Sequence, residues 1–461
     1  MSTLPYPKSG YAWFVVGVLV LASLVSYVDR QVIALLVTPM KADLDINDTQ
    51  IGSLSSAFAL FYAVAGLPLA WMADRFNRRW LIAAGIFTWS LMTCWCGLAR
   101  GFWTLLIARV GVGVGEATLT PAAHSLIGDY FPREKIPLAV AVFQLSGTLG
   151  TGIAFTVGGL IVHYIGTLPP VDAGVFGILK PWQMVFICVG APGALVMLLM
   201  LMVREPQRRS VVQAYAGASG GAGPLVAFYK RNWRTLLAHH IGFGAVALAG
   251  FSFVFWTPTF FHRIHGVPLG EAGIWYGLYF LTFATAGTYF GAWVGGRLYL
   301  KGRKDWPMRG SLIWAWPMVP LGLLAPIVPW EWLAWLLYAP LMFFINVPFG
   351  MSYGALPVIV PNRLRAQVSA VYLMMGSAIG TGLGPILTGA ISDNLFPEAD
   401  GVRYSLMLMM GACAPIWLGL LWYARPHYAN NLREAEELEL NAAAVNQVAP
   451  AFAGRTGDSD K

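Results

Sequence analysis

The sequence predicts an all-α integral membrane protein with twelve transmembrane helices in two six-helix halves and both termini in the cytoplasm. Of its 461 residues, 57% are hydrophobic and only 11% are charged, whereas an ordinary soluble domain carries about 25% charged residues. The apolar residues form blocks of about 20 or more, the length that a helix needs to cross a bilayer. These two observations exclude a soluble protein.

Twelve apolar blocks follow one another along the chain. The predicted spans, numbered 1 to 12, are 11–38, 50–72, 80–99, 102–128, 136–165, 182–203, 235–261, 271–298, 310–328, 331–358, 366–391 and 403–424. The predicted organisation is an N-terminal half (1–203), a cytoplasmic linker (204–234), a C-terminal half (235–428) and a cytoplasmic tail (429–461).

Basic residues in the short joins predict the orientation. Most of the lysines and arginines lie in the joins 2–3, 4–5, 6–7, 8–9 and 10–11. The opposite joins hold only Lys41, Arg100, Lys180, Arg263 and Arg403. Because cytoplasmic joins carry the excess of basic residues, this bias places both termini in the cytoplasm. The same bias explains the net charge of +8, so we expect no nucleic-acid partner.

The two halves show internal similarity. Pro132, Ala141-Val142-Phe143 and Gly147 match Pro361, Ala370-Val371-Tyr372 and Gly376 at an offset of 229 residues. A chance match of small residues in apolar helices is the alternative. Duplication explains the shared offset better, and parallel six-helix repeats hold substrate between the halves in one common transporter architecture.

Two motifs carry a family resemblance. The loop Ala70-Trp-Met-Ala-Asp-Arg-Phe-Asn-Arg-Arg79 resembles the signature loop of the major facilitator superfamily, with Ala70 and Asn77 where glycine is usual. In span 4, Gly113-Val-Gly-Glu116-Ala resembles the spinster-like branch, whose members are linked to lysophospholipid and sphingosine-phosphate transport. Span 5 ends in Gly158-Gly159 instead of the Gly-Pro motif of many antiporters, which leaves the direction of coupling open.

The resemblance implies a cytoplasmic gate that stabilises one access state. Its residues would be Asp74, Arg75, Arg78, Arg79, Asp129 and Arg133. In this interpretation Asp74 meets the positive N-terminus of a facing helix, and the arginines meet Asp129. The alternative is a solvated loop that only sets the topology.

Four ionisable residues lie inside predicted spans: Asp29 and Arg30 in span 1, and Arg109 and Glu116 in span 4. Each costs at least ~3 kcal/mol to insert, so each needs a functional or structural reason. Asp29 and Arg109 are expected at similar depths, about 15 and 12 Å from the outer end, and Glu116 lies about 10 Å further in on the face of Arg109.

Asp29 and Glu116 are the predicted proton-coupling residues. Desolvation raises the pKa of a carboxylate in an apolar cavity and a nearby arginine lowers it, so such a group can take up and release a proton. We expect Arg109 to pair with a carboxylate and to anchor an anionic head group. Arg30 points about 100° away from Asp29, which allows snorkelling or a second contact. An inert ion pair that fixes helix packing is the alternative.

In the family arrangement, spans 1, 4, 7 and 10 line the cavity, which makes Tyr27, Trp256 and Tyr353 candidate acyl-chain contacts. The predicted function is therefore proton-coupled transport of an amphipathic, anionic lipid by alternating access. A small organic anion or drug-like solute is the alternative substrate. A membrane enzyme is not expected, since the sequence has no catalytic or metal-ligand cluster, and a channel is disfavoured by the duplicated halves. We expect no cofactor and no metal, and a monomer in a bacterial inner membrane.

Overall fold

The computed structural model describes residues 6–132, 134–208, 222–361, 364–398 and 400–453. Helices lie at all twelve predicted positions, and the span numbers are kept below. In the N-terminal half, spans 1 to 6 are Ser9–Leu35, Asp48–Arg75, Arg78–Cys96, Phe102–Glu116 with Leu119–Tyr130, Ile136–Ile165, and Pro181–Gly190 with Pro192–Met202.

In the C-terminal half, three spans are continuous and three are interrupted. Spans 7, 10 and 12 are Trp233–His265, Glu331–Ile359 and Gly401–Ala453. Span 8 is Leu269–Tyr279 and Thr285–Leu300 joined by a π-helical turn, and span 11 is Arg365–Ser377 and Gly384–Leu395 joined in the same way. Span 9 consists of Trp306–Ala315 and Met318–Leu324.

Within the described residues, nine helices are long and apolar enough to cross a bilayer. Spans 3, 8 and 9 make up the remainder of the twelve. Span 3 has 19 residues and begins with two arginines, and the other two are interrupted. The chain is thus a multi-pass helical membrane protein.

The break in span 4 lies directly after Glu116. The first helix ends at Glu116 and the next begins at Leu119. Alternating glycines precede the break and have low helix propensity, and the Thr118 hydroxyl donates to the Gly115 carbonyl oxygen at 2.8 Å. The break puts the Glu116 side chain at the C-terminus of a helix segment.

The two halves close at one end of the bundle only. We call this end, where span 2 begins, the Asp48 end, and the opposite end, where span 3 begins, the Arg78 end. Among the described residues, the hydrogen bonds that join the halves all involve residues from Asp48 to Ser56. None joins the halves at the Arg78 end.

Small residues bring the halves together at two seams. Span 2 crosses span 11 where Gly52 faces the Pro385 backbone, and span 5 crosses span 8 where Gly159 faces the backbone of Gly270. A methyl group built on either Gly52 or Gly159 would overlap the opposite backbone at 2.5–2.6 Å. Glycine is therefore required for this closeness, as in other small-residue contacts between membrane helices.

The C-terminal tail differs from the prediction. Span 12 does not end near residue 424, as predicted, but continues as one helix to Ala453. Glu434 of this extension pairs with Arg231 at 2.9 Å, and Glu436 pairs with Lys304. Arg231 ends a linker helix, Ala222–Arg231. The extension therefore packs against the linker and the join between spans 8 and 9.

Candidate functional site

Glu116 is the centre of a buried polar contact between spans 1 and 4. Its carboxylate Oε2 accepts hydrogen bonds from Arg30 Nε at 2.5 Å and from the Ser26 hydroxyl at 2.8 Å. The side chain is fully buried, and Oε1 has no hydrogen-bond partner among the described residues. Since the helix C-terminus carries partial negative charge, a carboxylate is disfavoured at this position, and the Arg30 guanidinium and the Ser26 hydroxyl offset that cost.

Arg30 is held by aromatic rings as well as by Glu116. Its guanidinium carbon lies 5.2 Å from the Tyr27 ring centre, 5.3 Å from that of Phe58 and 4.7 Å from that of Tyr62. Cations within about 6 Å of a ring face are attracted to it. The Arg30 side chain keeps 23% of its surface exposed, so an incoming anion can reach it.

Asp29 and Arg109 form a second buried contact between spans 1 and 4. Both are buried. Arg109 Nη1 donates to the backbone oxygen of Asp29 at 3.1 Å, and the Thr93 hydroxyl donates to Asp29 Oδ2 at 3.2 Å. Asp29 Oδ1 and Arg109 Nε have no hydrogen-bond partner among the described residues. The guanidinium thus contacts the span 1 backbone and not the carboxylate.

The pairing of the arginines corrects the prediction. Arg109 was expected to pair with a carboxylate, but Arg30 is the residue that pairs with Glu116. Arg109 precedes Glu116 by two turns on the same helix, about 10 Å along its axis, whereas Arg30 reaches it from the neighbouring helix. Arg109 still faces the Phe58 ring at 5.1 Å, so both guanidinium groups lie close to this ring.

The three predicted aromatic contacts have different positions. Trp256 is fully buried and donates from Nε1 to the Pro385 backbone oxygen at 3.0 Å, so it packs span 7 against span 11 and does not line a cavity. Tyr353 is half exposed and stacks on Phe349. Tyr27 is partly exposed, and its ring centre lies 5.2 Å from the guanidinium carbon of Arg30.

Arg78 organises the predicted gate cluster within the N-terminal half. It is buried and pairs with Asp129 and with Glu205, the latter at 2.7 Å. The backbone N–H of Arg79 donates to the other Glu205 oxygen at 3.0 Å. These contacts join spans 3 and 4 to the end of span 6. In this conformation the cluster therefore braces one half instead of bridging both.

The other gate residues take no part in that brace. Asp74 and Arg75 are exposed. Arg75 lies over the Trp71 ring at 3.9 Å, and Asp74 makes no ion pair with any described residue. Arg133 lies outside the described residues.

A network at the Asp48 end was missed by the sequence analysis. The buried Asp48 carboxylate accepts hydrogen bonds from Arg263 at 2.7 and 2.9 Å, from Lys41 at 3.0 Å and from Ser392 at 3.0 Å. Arg263 belongs to span 7 and Ser392 to span 11, so Asp48 joins the halves. The sequence did contain a signal for this network. Asp48 is an acidic residue at the start of span 2, and the predicted topology places it at the same face of the membrane as Lys41 and Arg263.

Asp393 completes this network by capping span 2. Its carboxylate accepts hydrogen bonds from the backbone N–H groups of Asp48 and Thr49 at 3.1 and 2.7 Å, and from the Thr49 hydroxyl at 2.6 Å. An acid at a helix N-terminus satisfies unpaired N–H groups and the helix dipole together. Asp48, Asp393 and their partners are called the Asp48 latch below.

No metal-ligand cluster is formed in the part of the chain described. No group of three or more His, Cys, Asp or Glu side chains lies within metal-binding distance there. The buried charges at the site instead pair with one another and with backbone groups.

Comparisons with known proteins agree with this architecture. The Major Facilitator Superfamily profile matches residues 19–385. An MFS-type efflux pump of Mycolicibacterium smegmatis is 28% identical over 431 residues, covering 92% of this chain and 95% of the pump. Protein spinster homolog 1 of Bos taurus is 27% identical over 445 residues, covering 87% of this chain and 78% of the homolog.

A solved structure is also similar. It is that of a bacterial homolog of the human lysosomal transporter Spinster, in an inward-facing and unoccupied conformation. Its TM-score is 0.76 at 27% sequence identity, and the match covers 94% of this chain and 99% of that one. The chain belongs to the Major Facilitator Superfamily and is a spinster-like secondary transporter, not an enzyme.

Proposed function

We propose that this protein couples protons to the transport of an amphipathic, anionic lipid, such as a lysophospholipid or a sphingosine-phosphate-like molecule, by alternating access. The observation that carries the proposal is the ion pair between Glu116 and Arg30, in which a buried acid holds a partly exposed guanidinium. Protons, the lipid bilayer and the lipid itself are the partners, and no nucleic acid is involved.

Protonation of Glu116 changes what Arg30 can bind. A neutral carboxyl group loses the charge-assisted hydrogen bond to the guanidinium, while the rings of Tyr27, Phe58 and Tyr62 still hold Arg30 in place. A phosphate or carboxylate head group then takes the position of the Glu116 carboxylate. Because each binding event favours the other, the coupling free energy between proton and anion is reciprocal.

Aromatic side chains beside Arg30 suit the apolar part of such a substrate. Tyr27, Phe58 and Tyr62 surround the guanidinium from spans 1 and 2, and Phe349 and Tyr353 lie on span 10 of the opposite half. An acyl chain lying along these rings would contact both halves. Arg109 is too buried for a first contact and supports the site through the span 1 backbone.

We further propose that the Arg78 end faces the cytoplasm of a bacterial cell and that the protein works as a monomer in the inner membrane. The basic joins favour this orientation. In that orientation the closed Asp48 end makes the present conformation inward-facing. Similarity to a solved transporter in an inward-facing conformation supports this reading.

A second candidate function is proton-coupled transport of a small organic anion or a drug-like solute. The relative from Mycolicibacterium smegmatis, similar over almost its whole length, is named an efflux pump. Arg30 in its aromatic surroundings would bind a planar organic anion by the same contacts. The two candidates differ in whether a long apolar chain is needed for binding.

The test uses purified protein in lipid nanodiscs and proteoliposomes. Thermal stabilisation is measured with lysophospholipids of increasing chain length and with soluble organic anions, followed by uptake with and without a pH gradient. The lipid proposal expects stabilisation that rises with chain length and transport that the gradient drives. Stabilisation by short anions alone favours the second candidate. Transport rates that do not change with the pH gradient, for the lysophospholipids and for the soluble anions alike, contradict proton coupling.

A further inference from the structure

The two seams at the Asp48 end are related by the internal repeat. After one inserted residue the offset between spans 5 and 11 becomes 230, as in the match of Gly150-Thr-Gly152 with Gly380-Thr-Gly382, and Gly389 then corresponds to Gly159. Spans 2 and 8 are related by an offset of 222, as in the match of Ala70-Trp71 with Ala292-Trp293, so Gly270 corresponds to Asp48. A methyl group built on Gly389 would lie 2.3 Å from the Asp48 carbonyl oxygen, and one built on Gly159 would lie 2.7 Å from the Gly270 carbonyl oxygen. The backbones therefore cross in the same way.

The side chains at the two seams differ. At the 2–11 seam, Asp393 caps the start of span 2. The repeat puts His163 at the position of Asp393 and Glu271 at the position of Thr49. Among the described residues, neither His163 nor Glu271 makes a hydrogen bond or an ion pair through its side chain. The 5–8 seam thus lacks the polar latch of its counterpart.

A cavity lies beside the 5–8 seam, at the end of the bundle where the 2–11 seam has its polar latch. Its volume is about 720 Å³, and its lining is mostly apolar and comes from both halves: Leu36, Val162, Trp182 and Val185 from the N-terminal half, and Pro268 and Leu269 from the C-terminal half. Small-molecule pockets usually measure about 300–1,000 Å³. The cavity is therefore large enough for one alkyl chain.

The charges at the cavity rim select the head group. Asp43 is already engaged, because it pairs with Lys180 and accepts a hydrogen bond from Trp182 Nε1 at 2.8 Å. His262 is also engaged, with Nδ1 bonded to the Val267 oxygen at 2.9 Å. His163 is exposed. Glu271, exposed in the first turn of span 8, has no hydrogen-bond or ion-pair partner for its carboxylate among the described residues, so it is open to a cationic group at the rim.

We propose that this cavity binds a single-chain amphiphile with a cationic amine head group. The alkyl chain lies among the apolar lining residues, and the ammonium lies at the Glu271 carboxylate. Glu271 lies in the first turn of its helix, where the helix dipole favours a negatively charged side chain. The proposal concerns a site apart from Glu116 and Arg30 and does not depend on the transported substrate.

The bound amphiphile holds spans 5 and 8 together, as the Asp48 latch holds spans 2 and 11 together. The lining residues come from spans 1, 5 and 6 on one side and from spans 7 and 8 on the other. Opening the Asp48 end separates these groups, so the ligand binds only the closed form. A ligand with such differential affinity shifts the population toward that form and slows transport.

Photo-crosslinking locates the site. The probe is a dodecylamine with a diazirine in its chain, applied to the full-length protein in nanodiscs, and labelled peptides are identified by mass spectrometry. We expect labelling around residues 162–167, 181–185 and 268–271, displaced by dodecylamine but not by dodecanol or dodecyl phosphate. Distances between spin labels at the Asp48 ends of spans 5 and 8 should shift toward the closed population.

Variants separate this site from unspecific partitioning. Glu271→Gln should weaken the apparent affinity for the amine about three-fold, the size of a solvent-exposed charge interaction, while Glu398→Gln, another exposed acid outside the cavity lining, should leave it unchanged. Ala42→Trp at the mouth should abolish labelling. Labelling that is equal in all variants, that dodecanol displaces equally, or that localises to Tyr27 and Tyr353 overturns the proposal. The lysolipid and pH-gradient assays remain unaffected by any of these results.

Discussion

The guanidinium of Arg30 and the carboxylate of Glu116 meet between spans 1 and 4, with 2.5 Å between Nε and Oε2. The glutamate is fully buried and stands where the first helix of span 4 ends. The arginine is partly exposed and surrounded by three aromatic rings. In the proposed mechanism the buried acid controls whether Arg30 is free to bind an anion, and the following predictions test the consequences.

Glu116→Gln should remove the pH dependence of conformation and of transport, because glutamine imitates the neutral acid. Anion binding should persist, since Arg30 is no longer occupied by a carboxylate. The measurement is the distance distribution between spin labels at the Arg78 ends of spans 4 and 10 from pH 5 to 8. Glu437→Gln, an exposed acid on the tail, is the control. A pH response equal to that of the parent protein would exclude Glu116 as the principal proton site.

Arg30→Ala should weaken binding of anionic ligands by about ten- to a hundred-fold, as expected for a lost charge-assisted pair of roughly 1.5–3 kcal/mol. Arg30→Lys should rescue poorly, because lysine lacks the planar group that stacks on rings and binds anions with two donors. Binding is measured by calorimetry with the anion that stabilises the parent protein. If Arg30→Lys restores anion binding fully, only the positive charge of Arg30 matters for binding and its planar geometry does not.

Arg109→Ala should lower thermal stability more than it lowers anion affinity. The guanidinium is buried and donates to the Asp29 backbone, and removing one partner of a buried charged contact costs about 3–5 kcal/mol. Arg109→Ala is compared with Arg30→Ala in thermal unfolding and in anion binding. An unchanged melting temperature, or a loss of anion binding as large as that of Arg30→Ala, would contradict this assignment.

Asp48→Asn should release the Asp48 latch and increase the population that is open at that end. The change removes the buried charge that Arg263 and Lys41 contact, so the closed form loses about 3 kcal/mol or more. Asp45→Asn is the matched control, because Asp45 is exposed and its positive φ of 49° suits asparagine. The distance between labels on the Asp48 ends of spans 2 and 11 reports the result, and equal distributions in both variants would disprove the latch.

Asp74→Asn should act only when the Arg78 end closes. In the present conformation Asp74 is exposed, so thermal stability should change by less than about 0.5 kcal/mol, as for other surface substitutions. If Asp74 meets a facing helix in the other access state, the variant should favour the open Arg78 end. If the distance distribution between spans 4 and 10 is the same in the variant and in the parent protein at every pH, the loop that contains Asp74 only sets the membrane topology and is not part of a gate.

The sequence by itself determined the membrane class, the positions of the twelve spans and the candidate acids. Each of these depends on a local property: hydropathy summed over some 20 residues, or an ionisable residue inside such a block, whose insertion cost is the same in any fold. Span 5 illustrates this, since the prediction of 136–165 coincides with the helix Ile136–Ile165. The break after Glu116 and the long extension of span 12 lay beyond hydropathy alone.

Tertiary structure decided which charges meet. Depth along a helix follows from residue number, but the rotation of one helix against another and the reach of a long side chain do not. Arg30 therefore pairs with Glu116 although Arg109 had the matching depth, and Trp256 points into the contact with span 11. The Asp48 latch combines residues up to 345 positions apart, and only the packing of the two halves brings those partners within hydrogen-bonding distance.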